Sequence, residues 1–170
     1  YGTALSWREE AHRVASQLEE VCISVDAAEK TGARNDYTSM QVWGRQGQKR
    51  VLLDRRYGKW TPPQLNEQFR QLREEWPEAA FFYIEDKSAG GQLIAHEREA
   101  GRGNGIVPIV PSGDKESRSG FAEAVFESGN VWIPNAPRAD EYMENMVGFG
   151  AGAAHDDDTL ARTLAACAEA

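Results

Sequence analysis

Along the 170 residues the apolar positions change period several times, and each change marks a predicted element. From about Ser6, Trp7, Ala11, Val14, Ala15 and Leu18 recur at helical spacing, so residues 1–20 read as a linker leading into a helix. Val21-Cys22-Ile23-Ser24-Val25 is uncharged and β-branched, which predicts a buried strand, and it ends directly on Asp26. Ala27 to Asn35 should turn. Tyr37 to Gly44 alternates as a second strand, Gly47 breaks it, and Lys49 to Arg56 forms a third. Thr61 then caps a helix with Pro62-Pro63 at its start, where a missing N–H costs nothing. Leu65, Phe69, Leu72 and Trp76 make one apolar stripe that stops before Pro77.

The second half alternates strand with helix. Ala79 to Ile84 is an apolar run ending on Glu85-Asp86, which repeats the arrangement at Asp26. Gly90-Gly91 leads into a helix through Leu93, Ile94 and His96, closed by the glycine-rich 101–105. Ile106 to Val110 predicts a buried strand ended by Pro111, and a polar stretch with Lys115 and Arg118 precedes a helix holding Phe121, Val125 and Phe126. Asn130 to Pro134 is a short last strand, followed by a helix with Tyr142, Met143 and Met146. Three successive strands followed by alternation predict an α/β fold: an antiparallel hairpin region joined to parallel strands through right-handed crossovers, flanked by helices. Residues 21–170 are expected to form this single domain.

Composition changes that picture little. With 41% hydrophobic and 27% charged residues the chain is that of a globular domain with a proper core. No apolar stretch approaches the roughly 20 residues of a membrane span, so a cytoplasmic protein without a membrane partner is expected. Cys22 and Cys167 read as small buried hydrophobes.

Charge changes it more. The net charge of −8 argues against a nucleic-acid partner, but the distribution reverses the argument. Arg45, Lys49, Arg50, Arg55, Arg56 and Lys59 face one acid, Asp54, giving that segment +5 and leaving −13 elsewhere. Such a hairpin is either a phosphate-binding patch or a solvated edge, with Trp43, Tyr57 and Trp60 as stacking partners or edge packing.

The candidate chemistry is carboxylate chemistry. Asp26 and Glu85 end buried strands, and His155-Asp156-Asp157-Asp158 follows a Gly/Ala-rich approach near the C-terminus. Singly, each has a plain reading: a turn residue, a surface acid, a helix N-cap cluster. Beyond the ends of such a sheet, where crossovers diverge, Asp26 and Glu85 would meet, and a terminal helix packed across that end would add the acidic run. Converging carboxylates repel, and a hard divalent cation removes the conflict. Zinc spacing of Cys and His is absent, as is a GxxxxGK[ST] phosphate loop, so the chain should not be an ATPase by itself. His96 reads as structural.

The segments SVDAAEKTGARNDYT, FYIEDKSAGGQLI, FESGNVWIP and GAAHDDDTLARTLA, in this order and spacing, resemble the C-terminal nuclease domain of the tailed-bacteriophage terminase large subunit, from about Val21 onward. The resemblance implies a ribonuclease H-like fold and a metal-dependent endonuclease that cuts concatemeric double-stranded viral DNA during packaging. It implies two divalent cations, Mg2+ or Mn2+, and an ATPase motor domain in the same polypeptide. A small terminase subunit and a portal are further partners, and the setting is the cytoplasm of an infected bacterial host. Residue by residue, Asp26 matches the first-strand aspartate that ligates and bridges the metals, and Glu85 the acid of the later strand. Asp156 and Asp157 match a pair, with Asp157 as the expected ligand and Asp158 as its substitute. His155 falls near the second metal or the scissile phosphate, and Asp36 near the site. The basic segment, with Lys115 and Arg118, would contact DNA. Leu160 stands where many members carry another aspartate, which leaves the register of the third ligand open. A junction resolvase or RNA–DNA hybrid nuclease of the same fold, or a non-catalytic docking domain of a packaging motor, are the competing readings.

Overall fold

The computed structural model describes residues 7–27, 37–110 and 124–133. Among the described residues the helices α1 (Trp7–Ala15), α2 (Pro62–Glu75) and α3 (Ala89–Glu99) accompany the strands β1 (Glu20–Asp26), β2 (Thr38–Gln46), β3 (Lys49–Gly58), β4 (Phe81–Glu85), β5 (Ile106–Ile109) and β6 (Val131–Trp132). The strands form one mixed sheet in the order β5-β4-β1-β2-β3-β6. The β1–β2 and β2–β3 pairs are antiparallel, whereas β1–β4, β4–β5 and β3–β6 are parallel. This is the α/β architecture that the alternation of elements predicts.

Strand alternation sends side chains to two cores. Val21, Ile23, Val25, Met40, Val42, Phe82 and Ile84 pack with Ala11 and Ala15 of α1, Leu65, Phe69 and Leu72 of α2, and Leu93 and Ile94 of α3. Cys22, Trp43, Leu52 and Tyr83 form the opposite core, against Val125, Phe126 and Val131 among others. Trp43 is therefore an interior residue, 1% exposed, rather than a stacking platform on the hairpin.

Several boundaries differ from the sequence expectation for local reasons. The first helix ends at Ala15 and does not reach Leu18 or Glu20. Its last carbonyls accept tighter i→i−3 bonds, Gln17 to Val14 at 2.9 Å and Leu18 to Ala15 at 3.1 Å, and the Glu19 N–H is already taken by the Arg45 carbonyl across the sheet. The hairpin strands extend further than expected, to Gln46 and Gly58, because each residue gained adds a ladder pair. Conversely, β5 is only half-buried and Val110 is 72% exposed. It is an outer strand of the sheet, where Pro108 can sit without depriving a neighbour of a donor. The last strand shrinks to Val131 and Trp132.

The helix after β4 begins at Ala89 and includes both glycines. A Cβ on Gly90 would lie 2.0 Å from the Glu85 carbonyl oxygen, so only glycine lets α3 come this close to the end of β4. The link between them is tight. The Gly90 N–H donates to the Lys87 carbonyl at 3.0 Å, and Ser88 inside that turn takes φ 50, uncommon for a residue with a side chain. The α2–α3 layer is further held by Glu97, whose fully buried carboxylate receives Arg102 at 2.7 Å and Arg73 at 3.2 Å. Arg73 also lies over the Phe82 ring, 4.1 Å from its centroid. Among the described residues no helix is long and apolar enough to cross a membrane.

Candidate active site

The parallel register of β1 and β4 pairs Val25 with Ile84, and the next residue on each strand is a carboxylate, Asp26 and Glu85. Two separate stretches of sequence thus end side by side on adjacent strands, about 4.8 Å apart in the sheet. Because Val25 and Ile84 point into the helix-covered core, alternation turns both carboxylates to the opposite face. Glu85 is buried, at 8% exposure, and Asp26 half-buried. Asp86, the sequence alternative to Glu85, is exposed, and its N–H is used by the Ile109 carbonyl.

On the far side of Asp26 lies β2. Asp26 pairs with Ser39, and Ser39 pairs with Tyr57 of β3, so one row across the sheet runs Glu85, Asp26, Ser39, Tyr57. The next row runs Tyr83, Ser24, Gln41, Arg55. Ser24, Ser39 and Gln41 are at most 5% exposed, so the carboxylate end of the sheet rests on a buried polar strip. The Trp43 indole donates to Gln41 Oε1 at 2.8 Å, and Gln41 Nε2 donates to Ser39 Oγ at 3.4 Å.

Arg55 and Tyr57 reach this face because of a β-bulge. Val42 pairs with Asp54 but Trp43 pairs with Leu52, leaving Leu53 as an extra residue. Leu53 and Asp54 consequently turn to the same face, that of Val42 and Trp76, and the alternation beyond them is inverted. Asp54 and Arg56 now face α2, where Asp54 accepts from the Trp76 indole at 3.1 Å and Arg56 pairs with Glu75 at 2.7 Å. Arg55 and Tyr57 turn to the face of Asp26, two strands away, or about 10 Å. There the Tyr57 ring stacks on Tyr37, centroids 4.4 Å apart and planes 5° from parallel. Arg55 lies 4.5 Å over Tyr57 and the Lys59 ammonium 4.7 Å over Tyr37, which is 47% exposed.

The six hairpin cations therefore have different fates. Arg45 is paired with Glu19 at 3.2 Å and Glu20 at 3.4 Å, and Arg56 with Glu75. Arg50 is buried and donates to the Gly47 and Lys49 carbonyls. Lys49, Arg55 and Lys59 lie against aromatic rings, Lys49 over Trp132 at 4.9 Å. The +5 of the segment is partly neutralised by acids from elsewhere in the chain, which a count along the segment does not see. His96 is exposed on α3.

Asp36, Lys115, Arg118, His155, Asp156, Asp157 and Asp158 lie outside the described residues, as does the helix expected around Tyr142. Among the described residues no group of three or more His, Cys, Asp or Glu could hold a metal ion. The pair that is present fits a hard divalent cation in kind, since both groups offer only oxygen from neighbouring strand ends. Reading residue by residue missed Ser39, Gln41 and Tyr37. The signal was polar residues at alternate positions of an otherwise apolar strand.

No curated protein sequence matches this chain. Residues 23–169 match the family model described as the terminase RNaseH-like domain. Among solved structures, the large terminase nuclease of thermophilic phage G20c with bound magnesium superposes with a TM-score of 0.64 at 16% identity, over 86% of this chain and 80% of that one. The human cytomegalovirus terminase nuclease domain gives 0.62 at 10%, over 95% and 92%. The large terminase of a second thermophilic bacteriophage gives 0.58 at 13%, over 75% of this chain but only 31% of its own length.

Proposed function

The chain belongs to the terminase RNaseH-like domain family, and on that premise we propose that it is a divalent-metal-dependent endonuclease domain acting on double-stranded DNA. The observation that carries the reading is the side-by-side placement of Asp26 and Glu85 on one face at the ends of adjacent parallel strands. Fold alone would not carry it, since one fold hosts many functions.

Asp26 and Glu85 would hold the cations, with Asp157 or a neighbour in Asp156–Asp158 completing the set and His155 and Asp36 nearby. Two Mg2+ or Mn2+ ions so bound would lower the pKa of an attacking water and stabilise the charge that develops on the phosphate. The protein's own part is to fix the two carboxylates on rigid strand ends, to bury Glu85, and to position the DNA backbone. For the last, the Tyr37–Tyr57 stack with Arg55 and Lys59 sits about 10 Å from Asp26, roughly three base steps along a DNA strand. Its cations would meet phosphates and its rings sugars or splayed bases, without reading sequence. Lys49, which lies over Trp132 near the hairpin turn, and Lys115 and Arg118 are further contacts on this reading. Arg45, Arg50 and Arg56 are held by protein groups and contribute to the hairpin's shape. The chain spans about a third of the full large terminase of the second thermophilic phage, so the ATPase motor domain, the small subunit, the portal, concatemeric viral DNA and a host-cell cytoplasm belong to the proposal. The cation requirement accords with the neighbours described with bound magnesium or soaked in manganese.

Cleavage of supercoiled plasmid in Mn2+, Mg2+ and EDTA tests this, with Asp26→Asn and Glu85→Gln as isosteric variants. Wild type should cut only with a cation, and each variant should lose at least about 100-fold, the usual scale for removing one group that stabilises transition-state charge. Plasmid left intact by wild type across enzyme concentrations, or cut at an undiminished rate by either variant, would sink it.

A further inference from the structure

The buried polar strip beneath the carboxylates has a direction built into it. An indole N–H can only donate, so the 2.8 Å contact from Trp43 Nε1 identifies the facing Gln41 atom as its carbonyl oxygen. That assignment turns the Gln41 amide nitrogen, which only donates, toward Ser39 Oγ at 3.4 Å. The Ser39 oxygen is thereby an acceptor, and its own proton must be given elsewhere. Ser39 is 5% exposed, Gln41 3% and Trp43 1%, so water is a poor outlet, and a buried hydroxyl without a recipient is costly. Ser39, Gln41 and Trp43 alternate along β2 and share one face of the sheet, and the residue directly opposite Ser39 in the ladder is Asp26. Directly opposed residues stand about 5 Å apart at Cβ, within hydroxyl-to-carboxylate reach.

We propose that Ser39 is a positioning residue of the site: its hydroxyl donates to the Asp26 carboxylate, and Trp43 through Gln41 fixes the direction of that donation. One Asp26 oxygen is then engaged sideways by β2, and the carboxylate plane is set so that the remaining lone pairs are presented beside Glu85. Groups that orient a ligand in this way are commonly worth about 10–100-fold in metal affinity. The inference rests on Asp26 being a cation ligand, but the hydrogen bond itself does not.

Two readouts separate these. In the metal-free protein in mixed H2O/D2O, the Asp26 carboxyl carbon resonance should show an isotope shift from the Ser39 hydroxyl. The shift should vanish in Ser39→Ala, persist in Ser39→Thr, and weaken in Gln41→Leu. Calorimetric titration with Mn2+ should then show affinity reduced about 10-fold or more in Ser39→Ala and restored in Ser39→Thr, with the melting temperature of each variant as the check on folding. Should Ser39→Ala fail to fold, Ser39→Cys, a weak donor of similar size, should fall between. No isotope shift in the wild type, or wild-type Mn2+ affinity in Ser39→Ala, overturns the proposal. An isotope shift in a wild-type protein that binds no Mn2+ leaves the hydrogen bond standing and removes the metal reading of Asp26 instead.

Discussion

Two buried acids on neighbouring elements, Glu97 of α3 and Glu85 of β4, have opposite neighbourhoods. Glu97 is fully buried, and the fold brings it two arginines, Arg73 from α2 and Arg102 from the loop beyond α3. Glu85 is nearly as buried, yet its register neighbour on β1 is another carboxylate. The first arrangement is closed: charge is balanced within the chain and the result is a clamp between helices. The second sets two carboxylates at neighbouring strand ends, an arrangement that suits a divalent cation. Burial of a charge is thus no mark of function. What distinguishes the two places is the register: Glu97 meets two arginines, whereas Glu85 ends its strand beside a second carboxylate.

The sharpest way to test that contrast is to remove each acid. Glu97→Ala should cost about 3 kcal/mol by urea unfolding, the low end for a broken buried pair because Arg102 is 41% exposed and can recover water. Asp26→Asn, metal-free, should change stability by less than about 1 kcal/mol, since it removes one of two like charges while keeping shape. A larger loss at Asp26 than at Glu97 would collapse the distinction.

A second test perturbs the placement of Glu85 without touching its charge. Gly90→Ala sets a methyl 2.0 Å from the Glu85 carbonyl oxygen, a contact to backbone that cannot swing away. It should destabilise by about 1–3 kcal/mol as overpacking does, and the proposed nuclease activity should fall beyond what the loss of folded protein explains. Unchanged thermal melts would show that α3 can retreat from β4 freely.

The smallest effect concerns acids at the surface. Glu67 is held below the ordinary carboxylate range by hydrogen bonds from Arg70 and then Gln71. A depressed folded-state pKa contributes stability above the unfolded value, near 4.3, and that contribution is lost as pH falls through the folded one. Melting temperatures of wild type and Glu67→Gln should differ slightly at pH 7 and converge in strong acid. This is a surface pair, and a contribution comparable to that of Glu97 would contradict the comparison.

Much of this was legible in the chain itself. Strand period, a proline-opened helix at Pro62 and apolar runs ending on Asp26 and Glu85 are local properties, set by side-chain alternation and backbone restriction, and they reappear as β1, α2 and β4. The family was legible too: four segments in fixed order resemble terminase nuclease domains, and residues 23–169 match the model of the terminase RNaseH-like domain. The inversion at Leu53 was hidden, although the Leu52-Leu53 pair interrupts the alternation of β3. The depletion of the basic hairpin by Glu19, Glu20 and Glu75 was hidden as well, since partners distant in sequence leave no trace in a local charge count.

By itself, then, the order of residues determined which strands form, that two of them end in acids, and which residues alternate on each strand, because these depend on neighbours one to four positions away. Only the tertiary structure decided that β4 lies beside β1 in the register that sets Glu85 next to Asp26, that a bulge turns Arg55 and Tyr57 to the same face, and that Ser39 stands opposite the first acid. Those relations are set by which strands pair and how their cores fill, and a one-residue shift in any ladder would have sent each of these side chains to the other face.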